Sequence, residues 1–312
     1  MAEQAIIDEV MARATSWAGV AAEVRPLSGG LTNHNYLVAA GAQRFVVRIP
    51  GRATELLAVD RENELHNTRA AAEAGVGPRV LEHFPDLQVM VLEYLEGETM
   101  SGVTLRSPEM ARRMGESLRM LHAGPRFLQD FDMFRLVEYY LGVVDEHRVR
   151  IPEDYLARQP VIAEVERALG AHPLPTVPCH NDLMAENYIF DGARLRILDY
   201  EYSGNNDPCF ELGNTAQECA FDEDLRARLC ESYFGRADPF LLARMNLNAL
   251  MSDVGWTLWA AIQAKISTID FDFWGWAEER WGRAVEVLDS DRLVDWLRDV
   301  RAGARGPFSQ AS

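Results

Sequence analysis

Asp182 and Asn187 stand five positions apart in CHNDLMAEN (179–187), and Asp199 follows twelve positions after Asn187, in ILDY (197–200). These are residue types that phosphoryl transfer needs. A carboxylate at 182 can accept or orient a hydroxyl proton. An amide oxygen at 187 and a carboxylate at 199 can hold Mg²⁺ on nucleotide phosphates, because magnesium takes a few hard oxygens and fills its shell with phosphate and water. The rival reading is a polar turn, with Asp182 as a cap and Asn187 in the left-handed region that Asn tolerates. The short apolar stretches 187–190 and 194–199 around Asp191-Gly192 read as two strands. That hairpin would return Asp199 to the loop and favours the chemical reading.

Two further clusters carry chemistry. Gly29 and Gly30, in SGGLTN (28–33), lack a Cβ, so the amides of this turn can approach phosphate oxygens closely. Most Gly-Gly pairs between strands are only turns. Five of the seven tryptophans, Trp256, Trp259, Trp274, Trp276 and Trp281, fall within 256–281. A quaternary ammonium has no N–H to donate and is held by aromatic faces, each contributing up to about 2 kcal/mol when desolvated. Trp256 and Trp259, three apart, share one face of a helix. The same spacing is that of ordinary core packing, and the pattern alone leaves both readings open.

The elements that must position these groups divide into two kinds. A helix over 4–18 precedes strands at 35–39 and 43–49, a helix at 60–74 capped by Asp60, and strands at 80–84 and 88–93. Pro26 to Gly30 reads as a turn. From about 94–98 onward helix signals dominate. Ser107-Pro108-Glu109 opens one with a cap, a first-turn proline and a first-turn acid. Others recur at 135–147, 153–169, 208–220, 222–235, 238–264 and 271–304. The expected fold is therefore α+β and two-lobed: a small antiparallel-sheet N-lobe over 1–94 and a larger, mainly helical C-lobe over 95–312.

Composition bounds the partners. The chain has 312 residues and a formal net charge of −17, so nucleic acid and anionic membranes are poor partners and a small cation is a suitable one. No apolar run is long enough for a membrane span, and no secretory signal is evident at the start. Cys179, Cys209, Cys219 and Cys230 show no C-x-x-C spacing, which suits a reduced cytoplasmic protein. Lys265 is the single lysine, so a phosphate clamp must rest on arginine, backbone amides and metal.

CHNDLMAEN followed by ILDYEYSG resembles the catalytic loop and metal-binding segment of the aminoglycoside phosphotransferase and choline kinase superfamily, distant relatives of protein kinases. WTLWAAIQAKISTIDFDFWGWAEERW (256–281) resembles the late segment of the choline and ethanolamine kinases. The likeness covers roughly 24–285 and implies a protein-kinase-like fold, with ATP as co-substrate, Mg²⁺ as cofactor and a small amino alcohol, choline first, as acceptor. Ethanolamine, thiamine, a sugar or an aminoglycoside are alternative acceptors. A silent nucleotide- or choline-binding pseudokinase is the non-catalytic alternative, and a homodimer is compatible with the likeness.

Residue by residue, the resemblance implies Asp182 as base and Asn187 and Asp199 as metal ligands. It implies a phosphate-covering turn at Gly29, Gly30, Thr32 and Asn33. Arg48, in FVVRIPG, takes the place of the phosphate-contacting cation, with Glu64 rather than Glu62 as its acidic partner. Glu93 to Leu95 would be the hinge at the adenine. Trp256, Trp259, Phe273 and Trp276 would form the amine box. Glu201 or Glu211 would add attraction for the cation near the entrance, with Glu211 standing where the family often has Asp. His180 would position the loop, and His122 would cap its helix.

Overall fold

The computed structural model of the protein describes residues 3–27, 30–51 and 54–304. Five strands form the N-lobe sheet: β1 (Ala22–Pro26), β2 (His34–Ala40), β3 (Gln43–Ile49), β4 (Val80–Phe84) and β5 (Val89–Glu93), in the order β1-β2-β3-β5-β4, all antiparallel. The alternation along β3 sorts its two faces. Phe45, Val47 and Ile49 pack against Ile7 and Val10 of helix α1 (Glu3–Arg13). Arg48 therefore points to the other face, toward helix α2 (Arg61–Glu73). Asp60 caps α2 by accepting from the amides of Glu62 and Asn63 at 2.9 and 3.1 Å.

β1 corrects the expectation of a four-stranded sheet. Ala22-Glu23-Val24-Arg25-Pro26 is an edge strand that is mostly exposed, so it carries no apolar alternation. Its terminal proline costs the sheet nothing there. Likewise α1 stops at Arg13 rather than 18.

The chain crosses to the C-lobe through 94–97, which hold no helix or strand. β6 (Glu98–Thr99) leads into α3 (Gly102–Leu105), α4 (Pro108–His122), α5 (Met133–His147) and α6 (Gln159–Ala171). Ser107 caps α4 as expected, accepting from the Met110 amide at 3.2 Å. Short strands β7 (Val177–Cys179), β8 (Tyr188–Phe190), β9 (Leu195–Ile197) and β10 (Gly204–Asn206) frame the polar loop, β8 pairing with β6 and β9, and β10 with β7. Then come α7 (Pro208–Glu218), α8 (Glu223–Phe234), α9 (Pro239–Ile266), α10 (Phe273–Leu288) and α11 (Asp291–Ala302).

The expected single helix over 271–304 is two helices. Asp289-Ser290 breaks it, where a polar side chain competes for the backbone: Ser290 Oγ donates back to the Val287 carbonyl at 2.8 Å. The break lets α11 fold back on α9 and α6. α9 runs for 28 residues and is buried on all sides along most of its length, as a helix in the middle of a lobe must be. α7 lies close against it, and a Cβ at Gly213 would collide with the Met245 carbonyl. Among the described residues no helix is long and apolar enough to cross a membrane.

Candidate active site

β7 delivers the chain to His180 and the β8–β9 hairpin returns it to Asp199. Asp191 Oδ1 closes the hairpin turn by accepting from the amides of Ala193 and Arg194 at 2.9 and 2.8 Å. The Leu198 amide donates to the Asn187 carbonyl at 2.9 Å, so the two polar stretches lie side by side. Asn181 and Asp199 both adopt left-handed backbone, with φ of 70° each. Such residues persist where their surroundings over-determine them. For Asn181 the surroundings are the carbonyls of Cys179 and Tyr202, to which its Nδ2 donates at 3.2 and 3.0 Å. For Asp199 they are the guanidinium of Arg48.

The loop is also held from below. Glu211, 0% exposed at the start of α7, accepts from the amides of His180 and Asn181 at 2.8 and 2.7 Å. Both of its oxygens are thus committed beneath the loop, which corrects its expected place near a substrate entrance. His122 is likewise no helix cap. Its Nδ1 meets Tyr233 Oη at 2.7 Å, and its Nε2 lies 3.7 Å from both Cys179 Sγ and Glu211. His180 does position the loop. Its Nε2 bonds the Leu198 carbonyl at 2.6 Å while Nδ1 accepts the Asp182 amide at 3.2 Å. One nitrogen donates and the other accepts, which is the neutral tautomer, and burial pushes the imidazole pKa down in agreement.

Arg48 is the charge centre. Its Nε donates to Glu64 at 2.7 Å, and its two terminal nitrogens fork onto Asp199, one at 3.1 Å. Glu64 is buried and Glu62 is exposed, so Glu64 is the partner. Burial opposes the Arg48 charge, but Asp199, Glu64 and Glu201 outweigh it and hold its pKa above the ordinary value. Burial also pushes Asp199 up, and Arg48 more than reverses it, leaving that carboxyl below its usual range. Arg61, which the motif reading missed, shares Glu64 at 2.7 Å and lies 3.5 Å from Glu201.

Glu201 is buried among these groups and accepts from Asn33 Nδ2 at 2.7 Å, so it too lies away from an entrance. Its pKa is pushed up to about 7 by burial and by Asp199. The Asp182 carboxyl lies well above its usual range, first through burial and then through Glu218, Asp199 and Glu201. Asn187 Nδ2 donates to the Asp182 carbonyl at 2.9 Å, which fixes the orientation of its side-chain amide.

Gly29 lies outside the described residues. Gly30 has φ 97°, a conformation glycine adopts without strain, and a Cβ there would sit 2.9 Å from the Asn33 carbonyl. Thr32 and Asn33 are buried beside it. Glu93 ends β5, where its carboxylate accepts from the Arg79 amide and Nε at 3.2 Å each, and Leu95 follows in the linker.

The aromatic residues meet in one cluster. Trp259 contacts Phe273 edge-on at 6.0 Å and Trp276 at 5.7 Å between ring centroids. Trp256 joins through Tyr202, 5.0 Å away, whose hydroxyl accepts from Trp259 Nε1 at 2.6 Å. Phe271, 42% exposed, packs on Phe273 at 4.9 Å and Trp276 at 5.8 Å. The Arg280 guanidinium lies 4.0 Å over Trp276 and forks onto Glu218, with 2.8 Å for one arm. Tyr202, Phe271, Glu218 and Arg280 were missed. Phe271 was within reach, since F-D-F places it two residues before Phe273.

Three kinds of comparison bear on the family and the fold. Residues 23–247 match the phosphotransferase enzyme family. The crystal structure of a choline/ethanolamine kinase family protein from Mesorhizobium loti superposes with a TM-score of 0.83, at 34% identity over 96% of this chain and 100% of that one. Choline kinase LicA from Streptococcus pneumoniae shares the fold, with a TM-score of 0.78 at 24% identity over 92% of this chain and 98% of its own. Ethanolamine kinase 2 of Homo sapiens is 28% identical over 305 residues, 87% of this chain and 77% of the human one.

Proposed function

We propose choline as the acceptor for this chain, which belongs to the choline/ethanolamine kinase family and is a small-molecule phosphotransferase with an alcohol group as acceptor. The donor is ATP. The choline hydroxyl oxygen attacks the γ-phosphorus, ADP leaves, and the hydroxyl proton passes to Asp182. The raised Asp182 pKa suits a group that takes up a proton. Asp199 and Asn187 Oδ1 are hard oxygens amid an excess of carboxylate, a donor set that suits Mg²⁺. When bound, that ion neutralises charge on the phosphates. Arg48, oriented by Glu64, adds the fixed positive charge, and the amides of the 30–33 turn cover the phosphates.

The observation that carries choline over ethanolamine is the state of two carboxylates near the aromatic cluster, Glu218 and Asp253. Glu218 is forked by Arg280, and Asp253 is bonded by Arg283 and lies 3.6 Å from Arg280. A primary ammonium needs free acceptors, whereas a trimethylammonium needs aromatic faces. Phe273 and Trp276 offer faces and no phenolic oxygen. Ethanolamine is the second reading, supported by the likeness to human ethanolamine kinase 2.

ADP release measured across choline, ethanolamine, sugars and aminoglycosides tests the assignment. Choline should give the highest kcat/KM. Trp259→Ala should raise KM for choline by roughly thirty-fold, from about 2 kcal/mol of cation–π attraction, with little change in KM for ATP. Preference for a primary amine, or equal effects on both substrates, would overturn the choline reading.

A further inference from the structure

Gln263 lies on α9 seven residues after Trp256 and four after Trp259, on the same face of the helix. Its side chain is 4% exposed and donates from Nε2 to the Leu31 carbonyl at 3.0 Å. The helix that carries the amine box therefore also grips the phosphate-covering turn. The turn is gripped a second time, where Asn33 Nδ2 donates to Glu201 at 2.7 Å. Glu201 is the chain neighbour of Tyr202, and the Tyr202 hydroxyl accepts from Trp259. The contacts close a ring: Leu31 to Gln263, along α9 to Trp259, across to Tyr202, one residue back to Glu201, and on to Asn33.

We propose that Gln263 is a positioning residue that couples occupation of the aromatic cluster to the seating of the 30–33 turn over the nucleotide phosphates. A ligand packed on Trp259 fixes both α9 and Tyr202, and these are the two anchors of the turn. The turn then loses less freedom when nucleotide binds, so each substrate tightens the other by the same factor. This rests on the aromatic cluster being the amine site.

Calorimetric titration of the full chain with a non-hydrolysable ATP analogue and Mg²⁺, with and without saturating amine, tests it. The amine is whichever alcohol the wild-type protein phosphorylates fastest, so a failure of the choline reading leaves this test intact. In the wild-type protein the amine should lower the Kd of the analogue by about ten-fold, within the usual range of coupling between sites. Gln263→Met keeps the side chain's length and removes the donor. It should reduce the effect to within two-fold while leaving the Kd of the amine alone unchanged. Tyr202→Phe breaks the other arm of the ring and should also reduce it, which keeps the test available if Gln263→Met fails to fold. Absence of coupling in the wild-type protein, or full coupling in a folded variant, overturns the proposal. A purely structural role for Gln263 would lower the melting temperature and leave the coupling factor unmoved.

Discussion

Replacing Glu211 should loosen the loop that carries Asp182 without touching the nucleotide or the amine. Its two carboxylate oxygens accept the His180 and Asn181 amides at 2.8 and 2.7 Å in a site closed to water. Charge-assisted bonds of this kind contribute about 1.5–3 kcal/mol each, so Glu211→Ala should cost roughly 3–6 kcal/mol of local stability. Glu211→Gln keeps one acceptor and turns an NH₂ toward an amide N–H, for a loss of about 2–4 kcal/mol. At about 1.4 kcal/mol per power of ten, the alanine variant should speed hydrogen exchange of a peptide spanning 179–183 by roughly two to four powers of ten. Mass spectrometry reads this directly, with peptides from the N-lobe sheet as an internal standard. The turnover rate should fall alongside, since a displacement near 1 Å at a reacting group costs about a hundred-fold. Unchanged protection at 179–183 in a folded Glu211→Ala protein would refute the reasoning, because the two amides would then be satisfied by something else.

Two further outcomes are expected. Arg48→Lys should lower kcat/KM by at least ten-fold in a coupled ADP assay, because one ammonium cannot reproduce the fork onto Asp199 together with the bond to Glu64; a near wild-type value would mean that charge alone suffices. Glu82 accepts from the Ser16 hydroxyl and from the amides of Thr15 and Ser16 at 3.0 and 2.6 Å, and although burial opposes it, these bonds, the hydroxyl's first, hold its pKa below the ordinary 4.5. Its contribution is therefore present above about pH 4.5 and lost as pH falls through the lower folded value, and Glu82→Gln should flatten the acid side of the melting-temperature profile.

The parts of the site that were legible in the sequence are the local ones. Asp182, Asn187 and Asp199 sit within one loop and one hairpin, so residue type and spacing carried their relation. Arg48 and Glu64 were legible through the resemblance of FVVRIPG and the helix after it to a known family. Glu211 was not. Three residues after the proline that opens α7, it has the appearance of an acid placed for the helix dipole, and only packing shows that it faces the loop. Tyr202 and Arg280 were invisible for the same reason, since their partners lie 57 and 62 positions away. β1 escaped because an exposed edge strand needs no apolar face. The α10–α11 break escaped because Asp289-Ser290 is a weak signal beside two strong amphipathic runs.

α9 carries a consequence for how this enzyme can change. Trp256 and Trp259 are 3% and 5% exposed and belong to the main hydrophobic core. The residues that would choose the substrate are therefore also residues that hold the C-lobe together. Drift at these positions is filtered first by foldability, since truncating a buried tryptophan costs about 3–5 kcal/mol. New specificity has an easier route at the segment before and into α10, where Phe271 and Trp276 border the same cluster but are only partly enclosed. Directed evolution toward another amine should accumulate its tolerated substitutions there, and leave the tryptophans of α9 in place.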